Sequence, residues 1–529
     1  MVFLKATGAS MLRYASLRTF SSSSPALSVR RQRKKTKREA ADTPRDHILH
    51  LEIQEALKAF NNKSGKSINI EQIENPTEVI QEYFAYDRPQ TLKEVPIIYQ
   101  TSEGDGLGVY EEPENNRYGM VRIPKTIPGD IVNTQMLRHH KSYAEGSVVD
   151  IKTPSTRRRD KLVVCEKFDT CSGCQFQMTS YDDQLEHKRD IISRAYKFFY
   201  PKLDQPEGFG YVNGSTMQYA YRTKLTPHYK VSKTRHVING EPVEIGFNSA
   251  QMGKGRLVDV EHCPISSPAV NQGLRQVHTE THSKISKHIE ETGKSLKDGT
   301  LLLRESFRVD HATGEYDSVC LSNPSQIVTE KVGDYVFQFP ATEFFQINRY
   351  ILPDVLDYIK YHLSMHNPTN LVDAYCGSGF FGISLSSEIP GKVFGIEVAA
   401  NSLKYATHNA KLNGLSTPEK VSFIEGNADD MFKNSEFIES KIDGKESVVI
   451  MDPSRKGSSE SFMGQLLEFQ PKLIVYVSCN VFTQARDLAT FERLQQSGNT
   501  AKYRVKEVTG FDFFPQTKHV ESVAILERI

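Results

Sequence analysis

Cys479 ends the apolar run "LIVYVS" in the segment "YVSCN", and a run apolar on both faces reads as a buried strand. A thiol at that place is either a small core residue or a nucleophile presented at the strand's end. A free thiol, with a pKa of about 8.5, is mostly protonated at neutral pH, so a nucleophilic role calls for a nearby cation. Arg455 and Lys456, in "MDPSRKG", are the candidates. That segment also closes an apolar run, "SVVIMD", and places Asp452 and Pro453 at a strand's carboxyl end, where open α/β sheets bind ligands. A Gly-rich turn, "DAYCGSGFFG" (373–382), follows a third such run, and Glu397 ends a fourth, 24 residues after Asp373, where a carboxylate can accept hydrogen bonds from ribose hydroxyls. Phe380 and Phe381 separate Gly379 from Gly382, so the turn keeps the Gly-x-Gly-x-x-Gly spacing with two bulky rings inside it. A nucleoside ligand such as S-adenosylmethionine is the expected occupant.

A second set of thiols has a different spacing. Cys165, Cys171 and Cys174 lie in "CEKFDTCSGCQ", and a fourth, Cys263, lies in "EHCPI". Four thiolates suit a tetrahedral metal or a [4Fe-4S] cluster, with zinc in a structural site as the runner-up. A disulfide pair is less attractive in a reducing compartment. Of the other cysteines, Cys320 reads as core, and Cys376, inside the Gly-rich turn, as packing or as cofactor wall.

The elements that must position these groups follow from pattern. In the last third, "TNLVDAY", "GKVFGIE", "VSFIEGN", "SVVIMD" and "LIVYVS" alternate with helical stretches, which predicts a doubly wound, mainly parallel sheet covered on both faces. "YRVKEVTGFDFFP" and "SVAILERI" supply two more strands, so the chain is expected to end inside the sheet. Residues 88–156 break into short β-like runs with turns, which suits a small barrel. From 117 to 161 there are ten Lys/Arg against four Asp/Glu, ending in Arg157, Arg158 and Arg159, so the barrel suits a polyanion if this surface is more than ordinary solvated charge. Between Glu207 and Glu241 no acid occurs, and basic residues alternate with tyrosines, a composition fit for bases and phosphates and equally for a sheet. "HILHLEIQEALKAF" (47–60) has helical spacing and stops at "NNKSGKS".

Length predicts three or four domains at about 150 residues each. No run approaches the roughly 18 apolar residues that span a bilayer, so no membrane partner is expected. Ten Lys/Arg and no acid precede Glu39, in a Ser- and Ala-rich segment with the composition of a mitochondrial transit peptide. The run "RRQRKKTKR" (30–38) reads as a nuclear signal, a phosphate-binding arm or a solvated tail. A mitochondrial location, a nuclear-cytosolic one, or both are expected.

"FFQIN" (344–348), "DAYCGSG", "GIE", "MDPSRKG", "YVSCN" and "HVES" occur in the order found in the RNA uridine-C5 methyltransferases, and the chain resembles that family over roughly residues 88 to 529. The resemblance implies a Rossmann-like class I S-adenosylmethionine-dependent methyltransferase domain (341–529), an OB-like TRAM barrel (88–156) and a central mixed α+β domain (157–340). A targeting tail (1–40) and an extension (41–87) precede them. It implies that Gln346, Tyr375, Glu397 and Asp452 contact S-adenosylmethionine, although Phe380 stands where bacterial members usually have Asn. It implies Cys479 as the nucleophile that adds to carbon 6 of uracil, so that carbon 5 attacks the sulfonium methyl, and Glu521 as the base that then removes the carbon-5 proton. The uridine must be turned out of its stack, and Phe344 either stacks on it or is a core ring. "CSGCQ" is similar to the [4Fe-4S] motif of the family's bacterial rRNA branch, so that cluster is expected at Cys165, Cys171, Cys174 and Cys263, in a structural or RNA-positioning role. The expected activity is methylation of a tRNA uridine, at T-loop position 54, by a monomer. An rRNA substrate and a non-catalytic RNA-binding protein are the alternatives.

Overall fold

The computed structural model describes residues 44–68, 70, 73, 90–112, 117–140, 142–205, 208–231, 243–251, 256–309, 314, 316–498 and 501–529. The basic tail, residues 74–87 of the extension and residues 232–242 of the tyrosine-rich stretch lie outside them. Residues 49–529 form one compact unit; of the preceding unit, only the first turn of helix α1 (Pro44–Ser64) is described. No helix among the described residues is long and apolar enough to cross a membrane.

Five strands close a barrel in the order β1-β2-β3-β5-β4: β1 (Thr91–Gln100), β2 (Gly106–Glu112), β3 (Arg117–Ile123), β4 (Ile131–His139) and β5 (Ala144–Thr153). Side-chain alternation explains both faces of β2. Leu107 and Val109 point outward and, with Met120, bury Leu49, Ile53, Ala56 and Leu57 of α1. Gly106 and Gly108 point inward, where the bore is too narrow for a side chain: a Cβ on Gly108 would lie 2.5 Å from Val95 Cγ1. The "GDGLG" segment is therefore the start of a strand's inner face as well as a turn.

The three arginines at the barrel's exit divide. Arg158 reaches the fully buried Asp130 at 2.9 Å, Arg157 joins Asp183 at 2.6 Å and also pairs with Glu186, and Arg159 donates to backbone carbonyls. Two of these cations thus hold the barrel's exit in place, and so contribute less to a polyanion-binding face than their number implied.

Helix α2 (Tyr181–Phe199) starts at Ser180, whose Oγ accepts the Asp183 N–H, and α3 (Pro268–Thr292) starts at Ser267 and stops at Gly293 in the left-handed region. Short antiparallel strands connect them.

The large sheet has eight strands in the order β9-β8-β7-β10-β11-β13-β12-β6: β6 (Val212–Asn213), β7 (Asn370–Ala374), β8 (Val393–Glu397), β9 (Val421–Glu425), β10 (Ser447–Met451), β11 (Leu473–Ser478), β12 (Tyr503–Phe511) and β13 (Glu521–Arg528). β7 to β11 are parallel, and β10 and β11 are buried throughout, as their unbroken apolar sequences require. β13 inserts antiparallel between β11 and β12, so the chain ends inside the sheet. β6, from before residue 341, pairs in parallel with β12. The sheet reverses its direction of growth at β7, which is flanked by β8 and β10, and this leaves a crevice at the carboxyl ends of those strands.

Candidate active site

The crevice is lined by the turn after β7. Tyr375, Gly377 and Gly379 all have positive φ, and at Gly379 (φ +87°) a Cβ would lie 2.8 Å from Ile383 Cδ1, so both conformation and space require glycine. The Gly377 N–H donates to Glu397 Oε2 (3.2 Å), and the other carboxylate oxygen accepts the Ala399 N–H (3.0 Å), which fixes the acid at the end of β8. Asp373 accepts the Gly382 N–H through Oδ2 (2.9 Å), while Oδ1 is buried without a partner and burial raises its pKa to about 8. The Tyr375 hydroxyl meets Ser458 Oγ at 3.2 Å. Asp452 follows β10, its pKa raised to about 7 by burial.

Above this edge runs the segment around "FFQIN". Glu343 accepts from Asn401 (2.9 Å) and Ser402 (3.3 Å) at the start of the helix after β8. Asn348 donates to the Phe513 carbonyl (3.1 Å) on the other side, so Gln346, half-buried, lies along the strand ends. The neighbouring phenylalanines part: Phe345 is in the core, stacked 4.6 Å from Phe339, whereas Phe344 is 75% exposed. Phe344 is not a core ring.

Cys479 and Glu521 are brought together by strand register. β11 and β13 pair Ser478 with Ser522, and one step further Cys479 stands opposite Glu521, the first residue of β13. Glu521 is buried, not a surface acid, and burial, then the charge of Asp452, raises its pKa to about 8 against the pull of Arg455. Cys479 is half-buried, and its thiol is pushed up to about 12 by burial and then by Glu521 and Asp452, with the Arg455 guanidinium opposing that shift. Of the two cations singled out, Arg455 bears on the thiol. His519 lies in the field of Arg455 and Arg222, and burial and these cations lower its pKa to about 3, so it is neutral. A thiol, a carboxyl that titrates near neutrality and a guanidinium thus share one corner of the sheet edge, beside the Gly-rich turn. That set can add sulfur to an electrophilic carbon and move a proton.

The four cysteines of the second set are also neighbours, free and half-buried. The thiols of Cys165, Cys171 and Cys174 each feel Cys263, and Cys174 is pushed up to about 12, by burial first. Asn271 of α3 holds the Cys263 backbone through both N–H (2.8 Å) and carbonyl (3.0 Å). Lys125, buried between β3 and β4, donates to the Cys174 carbonyl and lies 4.2 Å from the Phe168 ring centroid. Cys376 is buried, and Cys320 packs against Gly273 of α3.

Arg455 and His519 stand inside the quoted motifs; Ser458, Asp429 and Lys125 carry no such signal and reach these sites only through folding. Asp429, which accepts from Ser459 (2.5 Å) and bears on Tyr375, is recognisable only once β9 is placed at the sheet edge.

A family profile described as tRNA (Uracil-5-)-methyltransferase matches residues 318–529. The tRNA (uracil(54)-C(5))-methyltransferase of Saccharomyces cerevisiae is 34% identical over 91% of this chain and 81% of its own length. The Schizosaccharomyces pombe protein of that name is 36% identical over 90% and 86%. A solved structure of the Pyrococcus abyssi tRNA (uracil-54, C5)-methyltransferase with S-adenosyl-L-homocysteine superimposes with a TM-score of 0.55 at 20% identity, covering 82% of this chain and all of that one, and supports the fold. The register at Cys479 and Glu521, the Gly-rich turn and these likenesses agree that the chain belongs to the tRNA (uracil-5-)-methyltransferase family.

Proposed function

We propose that the protein transfers a methyl group from S-adenosylmethionine to carbon 5 of a uridine in tRNA, at position 54 as in the yeast proteins' names. The observation that carries this reading is the β11–β13 register, which sets Cys479 opposite Glu521 at the sheet edge that holds the Gly-rich turn. The thiolate of Cys479, assisted by Arg455, forms a bond to carbon 6; the ring's electron pair passes through carbon 5 to the sulfonium methyl, and S-adenosylhomocysteine leaves. Glu521 in its ionised form takes the carbon-5 proton, and the carbon–sulfur bond breaks to regenerate the thiolate. Gln346, Tyr375, Glu397 and Asp452 are the residues that would hold the methyl donor, and the exposed Phe344 supplies a face for the extruded base.

Cys165, Cys171, Cys174 and Cys263 fit a [4Fe-4S] cluster, which would cross-link the segments that carry them. Zinc held by the same four thiolates in a structural site is the alternative. We also read the barrel as a TRAM-like RNA-binding module and the first 40 residues as an organelle address. Incubating the full chain with labelled S-adenosylmethionine and unmodified tRNA tests the reaction: transfer by wild type and none by Cys479→Ala supports it, and RNA binding without transfer overturns it.

A further inference from the structure

We propose that Arg222 and Lys224 form a seat for a phosphodiester of the substrate RNA next to the extruded uridine, an inference that rests on the RNA-methylating function above. Lys224 opens a short strand (Lys224–Leu225) and Arg222 forms a bridge just before it, so the two alternate with the buried Thr223 between them. On one side Lys224 pairs directly with Arg304 across an antiparallel ladder. On the other, Arg222 bridges Asn348 and the Thr223 N–H donates to the Ile347 carbonyl (3.0 Å); continuing that register sets Lys224 beside Gln346, next but one to the exposed Phe344.

Like charges directly opposed on a sheet destabilise it unless something neutralises them. Here little does. The Lys224 ammonium has neither hydrogen bond nor ion pair among the described residues, and burial, Arg304 and Arg222 together lower its pKa to about 8. Arg222 donates Nε–H to the Lys224 carbonyl (3.0 Å) and leaves its terminal N–H groups unpartnered among the described residues. Arg304 is fully buried, with Nε and Nη1 lacking acceptors, and its compensating acid Glu330 is engaged by Arg349 at 2.8 Å. The acid that acts on Lys224, Glu343, is held by Asn401 and Ser402. The surplus positive charge continues toward the thiol, since Arg222 and Arg455 both act on His519. Two anions meet at this edge, an RNA phosphate and the carboxylate of the methyl donor. A run of cations from Lys224 to Arg455 matches a chain of phosphates better than one carboxylate.

The test compares full-length wild type, Lys224→Gln, Arg222→Gln and Lys224→Arg for binding of an unmodified tRNA transcript over a range of KCl, with S-adenosylhomocysteine affinity and thermal midpoint measured alongside. Each Gln variant should bind the transcript about tenfold more weakly at physiological salt. Each should also lose about 0.7–0.9 from the slope of log affinity against log salt, and Lys224→Arg should restore it. The thermal midpoint of Lys224→Gln should equal or exceed that of wild type, because a repulsion is removed, which separates a binding role from a structural one. An unchanged slope overturns the proposal, as does a lowered midpoint, or a loss of S-adenosylhomocysteine affinity with RNA binding intact. If the variants behave as expected while wild type transfers no methyl, the seat stands and the proposed reaction fails.

Discussion

The two groups of thiols have the same intrinsic chemistry and opposite surroundings. Both Cys479 and Cys174 are pushed up to about 12 by burial. At Cys479 the next causes are carboxylates, Glu521 and Asp452, opposed by the Arg455 guanidinium; at Cys174 the next cause is another cysteine, Cys263, opposed by Lys125. A lone thiol beside two carboxylates and a guanidinium fits the proposed nucleophile. Thiols gathered beside one another fit the proposed cluster. The surroundings of a sulfur, more than how far its pKa is raised, distinguish the two proposals.

That contrast is open to attack, beginning where the effect is largest. Cys479→Ala should lower methyl transfer by at least about 10⁴-fold and abolish the covalent adduct with 5-fluorouridine RNA, read on a denaturing gel, while leaving S-adenosylhomocysteine binding in place. Glu521→Gln should slow turnover by about 10²–10⁴-fold and accumulate the adduct that Cys479→Ala cannot form. An adduct formed by Cys479→Ala would merge the two classes of thiol. Cys174→Ser should act on the other side of the comparison: bound metal and visible absorption fall, as does the thermal midpoint, while transfer per folded molecule changes by less than about tenfold.

The two regions are joined through α2, whose Lys188 makes a fully buried ion pair with Asp512 at 2.5 Å, between β12 and β13. Lys188→Met should cost about 3–5 kcal/mol in denaturant unfolding, by leaving Asp512 buried and unpaired, and Lys188→Met with Asp512→Leu should cost less.

The smallest effect is on pH. Glu521 goes from an ordinary 4.5 to about 8 on folding, so between those values the folded chain holds more protons than the unfolded one. Its contribution to stability is present at low pH and lost as pH rises through about 8; Glu521→Gln should flatten that part of the unlinked stability profile. The base also becomes competent only as it ionises, so kcat/KM should rise toward pH 8.

Much of the catalytic region was legible in the sequence because its strands are buried on both faces, so Leu473–Ser478 and Ser447–Met451 announce themselves as apolar runs whose ends carry Cys479 and Asp452. The Gly-rich turn was legible for a similar reason, since Gly379 must adopt a positive φ in a space that admits no Cβ. Other features had no local mark. Adjacent phenylalanines differ completely in exposure because the segment after Ala341 turns one ring inward and the next outward. Arg157 and Arg158 resemble a polyanion-binding tail until Asp183 and Asp130 are seen beside them. The basic, tyrosine-rich stretch divides as well: Tyr221 is fully buried, with its hydroxyl on the Pro515 carbonyl (2.9 Å), whereas Tyr211 is exposed.

The amino-acid sequence by itself determined which reactive groups the chain carries: a thiol and a carboxylate at the ends of apolar strands, a turn that only glycine can make, and four cysteines in two segments. Tertiary structure alone decided which of these meet. Cys479 and Glu521 are 42 residues apart, and their encounter depends on the final strand entering antiparallel between two others in one register. A strand's burial is written in its own residues, but its neighbour and direction are settled by the packing of the whole sheet, and a slip of one residue would turn Glu521 to the opposite face.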